Sequence, residues 1–449
     1  MAARSTPLLS AGVLGVLAWL LTSSFLSQTF VTPGPHAIRR GRRTACRAVE
    51  TAVLLFQPGQ RVTLTGPPAM AGAQGTILEP KGDDAFAVQF DNGSIFHIAT
   101  HNIEGSGAPP AGNVNYDAVR ADLKRVMDDP NWDDGSYGPL LIRLAWHSSG
   151  TYSKHTNTGG SEGAAMRFVY GSEAKDPENA GLAHAIKYLQ PIKDKYPLMS
   201  HSDLWILAAY VAIEHMGGPS IEFKPGRVDT PDEKGCPEWD GPMIDGQASS
   251  RLPHAEYGLV EGFDRNKVLD SEGRILGWEN LAQHMRDVFY RMGFNDREIV
   301  ALMTGGHLWG RCHPEHSGYA GPWVEEMTKW SNEYAADMIE DPWRMVSNSD
   351  TWLDSIGAEE LRPAPGKRQY VNKFPAAEGG SGLDDPNQMM LVADMVLLWD
   401  PAFRQTLEEY AVDDTGSDDN HALRRDFAAA YKKLTELGTQ RLTACPFAH

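Results

Sequence analysis

Cysteine is scarce in this chain of 449 residues: there are four, Cys46, Cys236, Cys312 and Cys445. Their spacing makes no disulfide framework, and no CxxC pair offers a zinc or thiol-redox site. That suits a reducing or neutral compartment, with thiols serving mainly as core filler. Long apolar runs are lacking too. LLSAGVLGVLAWLL, residues 8–21, is short for a membrane span and has the length of a signal-peptide core. Acid is absent from the first 49 residues, which hold six of the 41 basic residues, all arginine. The rest of the chain sets 35 basic residues against 59 acidic ones, a net charge of −24. Such a surface repels nucleic acid, so no nucleic-acid partner is expected, and it favours cationic partners.

Composition divides the chain into four segments. Residues 1–49 read as a signal peptide plus transit peptide: the apolar core is followed by small and polar residues, then by FVTPGPHAIRRGRRTACRA. A signal core followed by a basic segment beginning at Phe30 is similar to the bipartite leaders of plastids of secondary origin. A plastid destination is therefore expected, with a mature form that does not span a membrane. An anchor through residues 8–21 is the other reading. Residues 50–105 hold short alternating runs, RVTL, GTIL, AFAVQF and SIFHI, and Asp91-Asn92-Gly93 sits between the last two. Those turn residues tolerate positive φ and signal a hairpin. The pattern predicts a small all-β barrel resembling an SH3-like fold. Residues 106–112 read as a flexible linker.

From 113 to 449 the period becomes helical. Helices are predicted over residues 116–127, 140–147, 201–216, 278–292, 296–303, 388–398, 401–411 and 421–437, with Asp296 capping its helix at NDREIV. Strand signals are few, so this domain is predicted to be mainly α.

Two clusters carry chemistry. In Leu141-Ile-Arg-Leu-Ala-Trp-His147, Arg143 and His147 are four apart and Trp146 lies three beyond Arg143, on adjacent parts of one helix face. A neutral imidazole can take and return a proton near neutral pH, and arginine is always charged. Together they suit heterolysis of hydrogen peroxide. A surface arginine beside a satisfied core histidine would look the same. The second cluster is Met303-Thr-Gly-Gly-His-Leu-Trp-Gly-Arg-Cys-His-Pro-Glu-His316. Glycines beside His307 would let a large planar group approach the backbone. His307, His313 and His316 could also be read as a zinc set, but no cysteine pair or HExxH spacing supports that.

Read in order, RLAWHSSGTY, NTGG, DPENAGL, GRVDTP, ALMTGGHLWGRCH and SGYAGPW resemble the class I haem peroxidases, the group of cytochrome c peroxidase, ascorbate peroxidase and catalase-peroxidase. The resemblance runs from about residue 113 to 438. It implies a helical haem-peroxidase domain with one haem b, reducing hydrogen peroxide to water with one-electron donors in antioxidant defence. It implies that Arg143, Trp146 and His147 form the distal triad, and that Asn179 bonds the distal histidine. His307 would ligate the iron, Asp394 would accept its ring proton, and Trp323 could hold an oxidising radical. Arg311, His313 and Ser317 match positions around the haem propionates.

The donor is where the pattern departs. Ascorbate peroxidases place an arginine three residues after the propionate-side histidine; this chain has His316. Hydroxyl residues that hold a cation in that group are replaced by Leu308 and Val324, so no potassium site is expected. Met389-Met390-Leu391 before Asp394 looks like the cytochrome c peroxidase pattern. Ascorbate or a cytochrome c-like protein is therefore expected as donor. Segments near 255–278 and 340–388 exceed the usual family length. The reading from another class is a haem-binding sensor or scaffold, which would need only His307.

Overall fold

The computed structural model describes residues 61–105 and 114–446, except residues 65–72, 82–84, 91–93, 100–102, 170, 231–242, 245–246, 249–250, 373–387, 413–420 and 445. The chain divides into two units, Met1–Thr51 and Ala52–His449, and the described residues belong to the second. The leader, the linker at 106–112 and the turn at 91–93 lie outside the described residues.

Five short strands form one antiparallel sheet near the N-terminus: β1 (Arg61–Leu64), β2 (Gln74–Pro80), β3 (Ala85–Phe90), β4 (Ile95–Ala99) and β5 (Ile103–Gly105), in the order β4-β3-β2-β1-β5. Alternation places Val62, Leu64, Ile77, Phe86, Val88, Ile98 and Ile103 in one small core. A register shift between Ile77 and Glu79 bends β2.

The rest is mainly helical. The principal helices are α1 (Tyr116–Met127), α2 (Gly138–Ser149), α3 (Leu182–Lys195), α4 (His201–His215), α5 (Trp278–Met292), α6 (Asp296–Gly306), α7 (Glu333–Glu340), α8 (Val392–Trp399), α9 (Pro401–Ala411) and α10 (His421–Glu436). α4 is apolar almost all round and buried from Ser202 to Ile213, so it forms the centre of the core. α2 packs on α4, α3 and α10; α6 packs on α9 and α10; α8 packs on α5 and α9. Close approach of α6 to α10 depends on Gly305, where an added Cβ would lie 2.3 Å from Phe427. The GRVDTP motif ties helices together. Asp229 accepts the backbone N–H groups of His201 and Ser202 at the start of α4, and Arg227 pairs with Asp203 at 2.9 Å while donating to the Thr435 carbonyl.

Two boundaries differ from expectation. Asn295, not Asp296, caps α6: its side chain accepts the Glu298 N–H at 3.0 Å, and Glu298 accepts the Asn295 N–H at 2.9 Å. The helix expected over 388–398 begins at Val392, because Met389–Leu391 forms a strand, β8. It pairs with β7 (Arg368–Val371), which pairs with β6 (Arg344–Ser347). β8 runs directly into α8 and delivers Asp394 in the first helical turn.

The segments near 255–278 and 340–388 brace each other. Glu256 pairs with Arg368 at 2.8 Å, and both side chains are only 8% exposed. Arg368 also donates to the Val260 and Gly262 carbonyls, and Tyr370 donates to that of Gly273. Arg368→Met should lower stability by about 3–5 kcal/mol, because it strands a buried carboxylate. The urea midpoint checks this; a change below about 1 kcal/mol would mean that Glu256 finds water.

Candidate active site

α2 presents Arg143, Trp146 and His147 together, as the four-residue spacing dictates. His147 is 9% exposed. Its Nδ1 lies 2.8 Å from Asn179 Oδ1, and Asn179 Nδ2 donates to the Glu173 carbonyl at 2.8 Å. That second bond orients the amide, so its oxygen must face the imidazole. His147 then carries its proton on Nδ1 and a lone pair on Nε2. Burial, and next the Arg143 charge, hold the His147 pKa well below the usual imidazole range. Arg143 donates from Nη1 to the Ala180 carbonyl and from Nη2 to that of Glu178, each at 2.9 Å, which fixes its guanidinium. Trp146 stacks on Phe289 with ring centroids 5.4 Å apart and meets His147 edge-on at 6.0 Å.

His307 terminates α6. Its Nδ1 donates to Asp394 Oδ1 at 2.8 Å, and its ring stacks on Trp323 at 4.2 Å. Asp394 is fully buried and accepts three further bonds: Tyr334 Oη to Oδ1 at 2.9 Å, Trp323 Nε1 to Oδ2 at 2.8 Å, and Leu391 N–H to Oδ2 at 2.8 Å. The two imidazoles, His147 and His307, are held alike. Each is held through Nδ1, leaving both Nε2 atoms without a hydrogen-bond partner among the described residues. A Cβ added at Gly306, beside His307, would meet nothing within 4 Å. An open imidazole nitrogen beside open space, with a buried carboxylate behind it, fits a haem. Of these two glycines, Gly306 faces open space and Gly305 serves helix packing.

The residues expected around the propionates do not form a bare cation cluster. Arg311 Nε donates to Asp134 Oδ1 at 2.7 Å, and His313 Nε2 pairs with Asp133 at 3.1 Å, which raises the His313 pKa. Ser317 donates to the His313 carbonyl at 3.3 Å. Leu308 and Val324 are fully buried apolar side chains. Tyr334, the Asp133 and Asp134 partners and the carbonyls that hold Arg143 left no sign in the sequence. Among these only the adjacent acids in NWDDG could have been noticed, as counter-charges for Arg311.

The profile of the family described as Peroxidase matches residues 119–413. A putative heme-binding peroxidase of Mycosarcoma maydis is 42% identical over 327 residues, 73% of this chain and 80% of that protein. The cytochrome c peroxidase, mitochondrial, of Neurospora crassa is 36% identical over 408 residues, 90% of this chain and 92% of that one. A putative cytochrome c peroxidase, mitochondrial, of Yarrowia lipolytica is 38% identical over 73% of this chain and 91% of its own.

The chain belongs to the peroxidase family.

This peroxidase is a class I haem enzyme that acts on peroxide, and the reading as a sensor without turnover gives way. The plastid expectation is corrected. The Neurospora and Yarrowia relatives, which match most of this chain, are both named as mitochondrial. An Arg-rich, acid-free leader is common to mitochondrial and chloroplast import, so composition did not separate the two organelles. Among the described residues no helix is long and apolar enough to cross a membrane, and residues 8–21 lie outside them.

Proposed function

We propose that this peroxidase reduces hydrogen peroxide at a haem b held by His307 and draws its electrons from a basic, cytochrome c-type protein. The observation that carries the reading is the pair of imidazoles, each fixed through Nδ1 by a side-chain oxygen at 2.8 Å and each open at Nε2. When bound, the haem supplies the iron that receives peroxide and the capacity to store its two oxidising equivalents. The chain's own groups do the rest. Neutral His147 accepts the first peroxide proton on Nε2 and returns it to the departing oxygen, which leaves as water. Arg143 stabilises the charge that develops as the O–O bond breaks. Asn179 keeps His147 in the tautomer that can accept, and Trp146 walls the site. Asp394 increases the basicity of His307 by accepting its Nδ1 proton. Arg311, His313 and Ser317 border the propionates, with Asp133 and Asp134 balancing their charge.

Trp323 is the relay to the donor in this reading, since its indole lies on His307 and bonds the same carboxylate. The net charge of −24 beyond residue 49 favours a basic donor, and cytochrome c stands in the names of two relatives. Residues 50–105 serve as a structural or docking accessory of SH3-like type, joined by the linker 106–112 to the peroxidase domain, 113–449. The leader directs the chain to mitochondria. Trp323→Phe should bring steady-state oxidation of reduced cytochrome c close to background while sparing turnover with ascorbate as a small comparison donor. Equal losses with both donors would contradict a relay at Trp323.

A further inference from the structure

Asp394 carries two oxidisable rings, one on each oxygen. Trp323 Nε1 donates to Oδ2 at 2.8 Å, and Tyr334 Oη donates to Oδ1 at 2.9 Å. Tyr334 is fully buried on α7, and its ring meets that of His307 edge-on at 6.0 Å. Two other buried phenols also end on carboxylates, Tyr410 on Asp426 and Tyr319 on Glu256, while Tyr431 and Tyr370 donate to the Ile142 and Gly273 carbonyls. Tyr334 differs in that its carboxylate also holds Trp323 and His307. A carbonyl oxygen is a poor home for a proton, whereas a carboxylate accepts one readily.

We propose that Tyr334 is a second redox site of this enzyme, alternating with Trp323 through their shared carboxylate; the proposal rests on the reading of His307 as the haem ligand. One electron leaves the Tyr334 ring to fill an oxidising equivalent left by peroxide reduction. The phenolic O–H bond breaks, and its proton crosses to Asp394 Oδ1. A neutral tyrosyl radical and a protonated Asp394 result, so no net charge is left on the ring in its dry surroundings. A donor electron and the returning proton restore both groups.

Asp394 has one negative charge to offer. It can stand beside an oxidised, cationic Trp323, or it can take the Tyr334 proton, but not both. The two oxidised states therefore exclude each other. They also differ in what they do to His307. A proton on Oδ1 weakens the acceptor of the His307 Nδ1–H, so an oxidised Tyr334 lowers the basicity of the iron ligand while an oxidised Trp323 leaves it intact. Tyr334 thus gives the oxidising equivalent a resting place when no donor is docked.

The test uses holoenzyme frozen after one equivalent of hydrogen peroxide and read by electron paramagnetic resonance. Trp323→Phe should show a tyrosyl radical that narrows when the protein carries ring-deuterated tyrosine. Trp323→Phe combined with Tyr334→Phe should lose it. Should the double variant fold poorly, 3,5-difluorotyrosine placed at position 334 in the Trp323→Phe chain keeps the hydroxyl and should add fluorine splittings to the same signal. A tyrosyl signal that persists in a folded double variant overturns the proposal, as does one without fluorine splitting. So does the absence of any tyrosyl signal when the peroxide-induced Soret shift is normal. Absence of the Soret shift itself would overturn the haem assignment as well, which separates the two failures.

Discussion

Replacing His147 with Leu should slow the reaction of the holoenzyme with hydrogen peroxide by about two to four orders of magnitude, the range that positioned acid–base groups contribute. Leucine fills similar space but has no lone pair, so the proton leaving peroxide has no acceptor inside the site. Arg143 keeps its two carbonyl anchors at Ala180 and Glu178, and His307 keeps its bond to Asp394. The Soret band before peroxide should therefore be nearly unchanged, and stopped-flow observation of its shift isolates the lost step. The pH dependence follows from the sign of the perturbation. The base form is neutral imidazole, and burial with the Arg143 charge lowers its pKa well below the usual range. Protonation therefore comes at lower pH than for an ordinary histidine. The wild-type rate should stay level through neutrality and fall only in acid, whereas the residual rate of the Leu variant should lack that fall. A Leu variant within a few-fold of wild type would remove His147 from the proton path.

Short-range chemistry was legible in the sequence and long-range chemistry was not. Arg143 and His147 are one helical turn apart, so their juxtaposition is a property of the helix itself. Asn179 and Asp394 are 32 and 87 residues from the histidines that they hold, and only the resemblance of whole motifs linked them. Tyr334 lay beyond both kinds of inference, because a tyrosine on an amphipathic helix looks like packing until Asp394 is brought to its hydroxyl. The strand β8 was hidden for a related reason. MMLVADMVLLW is apolar almost throughout, so periods of two and of 3.6 fit it equally well, and pairing with β7 decides. The brace between Glu256 and Arg368 joins residues 112 apart whose charges, read singly, belong to loops. Arg311 had the right sign for a propionate, but its counter-charges came from a turn that looked like loop.

Asp394→Ala should lower stability by about 3–5 kcal/mol and weaken haem retention about 10–100-fold. The carboxylate is fully buried and accepts from four donors on four different segments: His307, Trp323, Tyr334 and the Leu391 backbone. Alanine takes the acceptor from all of them, and each donor stranded away from water costs about 1–3 kcal/mol less any relaxation. His307 also loses the bond that assigns its tautomer. Asp394→Asn separates these two effects. Its oxygen can serve Trp323 and Leu391 while its NH2 group meets His307 Nδ1 and the Tyr334 oxygen. That arrangement leaves only the Tyr334 hydroxyl hydrogen without its acceptor, and it requires the His307 proton to move to Nε2, the atom that the iron requires bare. The Asn variant should therefore keep most of the stability lost in the Ala variant, yet retain haem no better. Urea unfolding of the apoproteins and haem transfer to apomyoglobin measure the two quantities independently. An Asn apoprotein as unstable as the Ala one would mean that the negative charge, rather than the four hydrogen bonds, holds this corner of the core together.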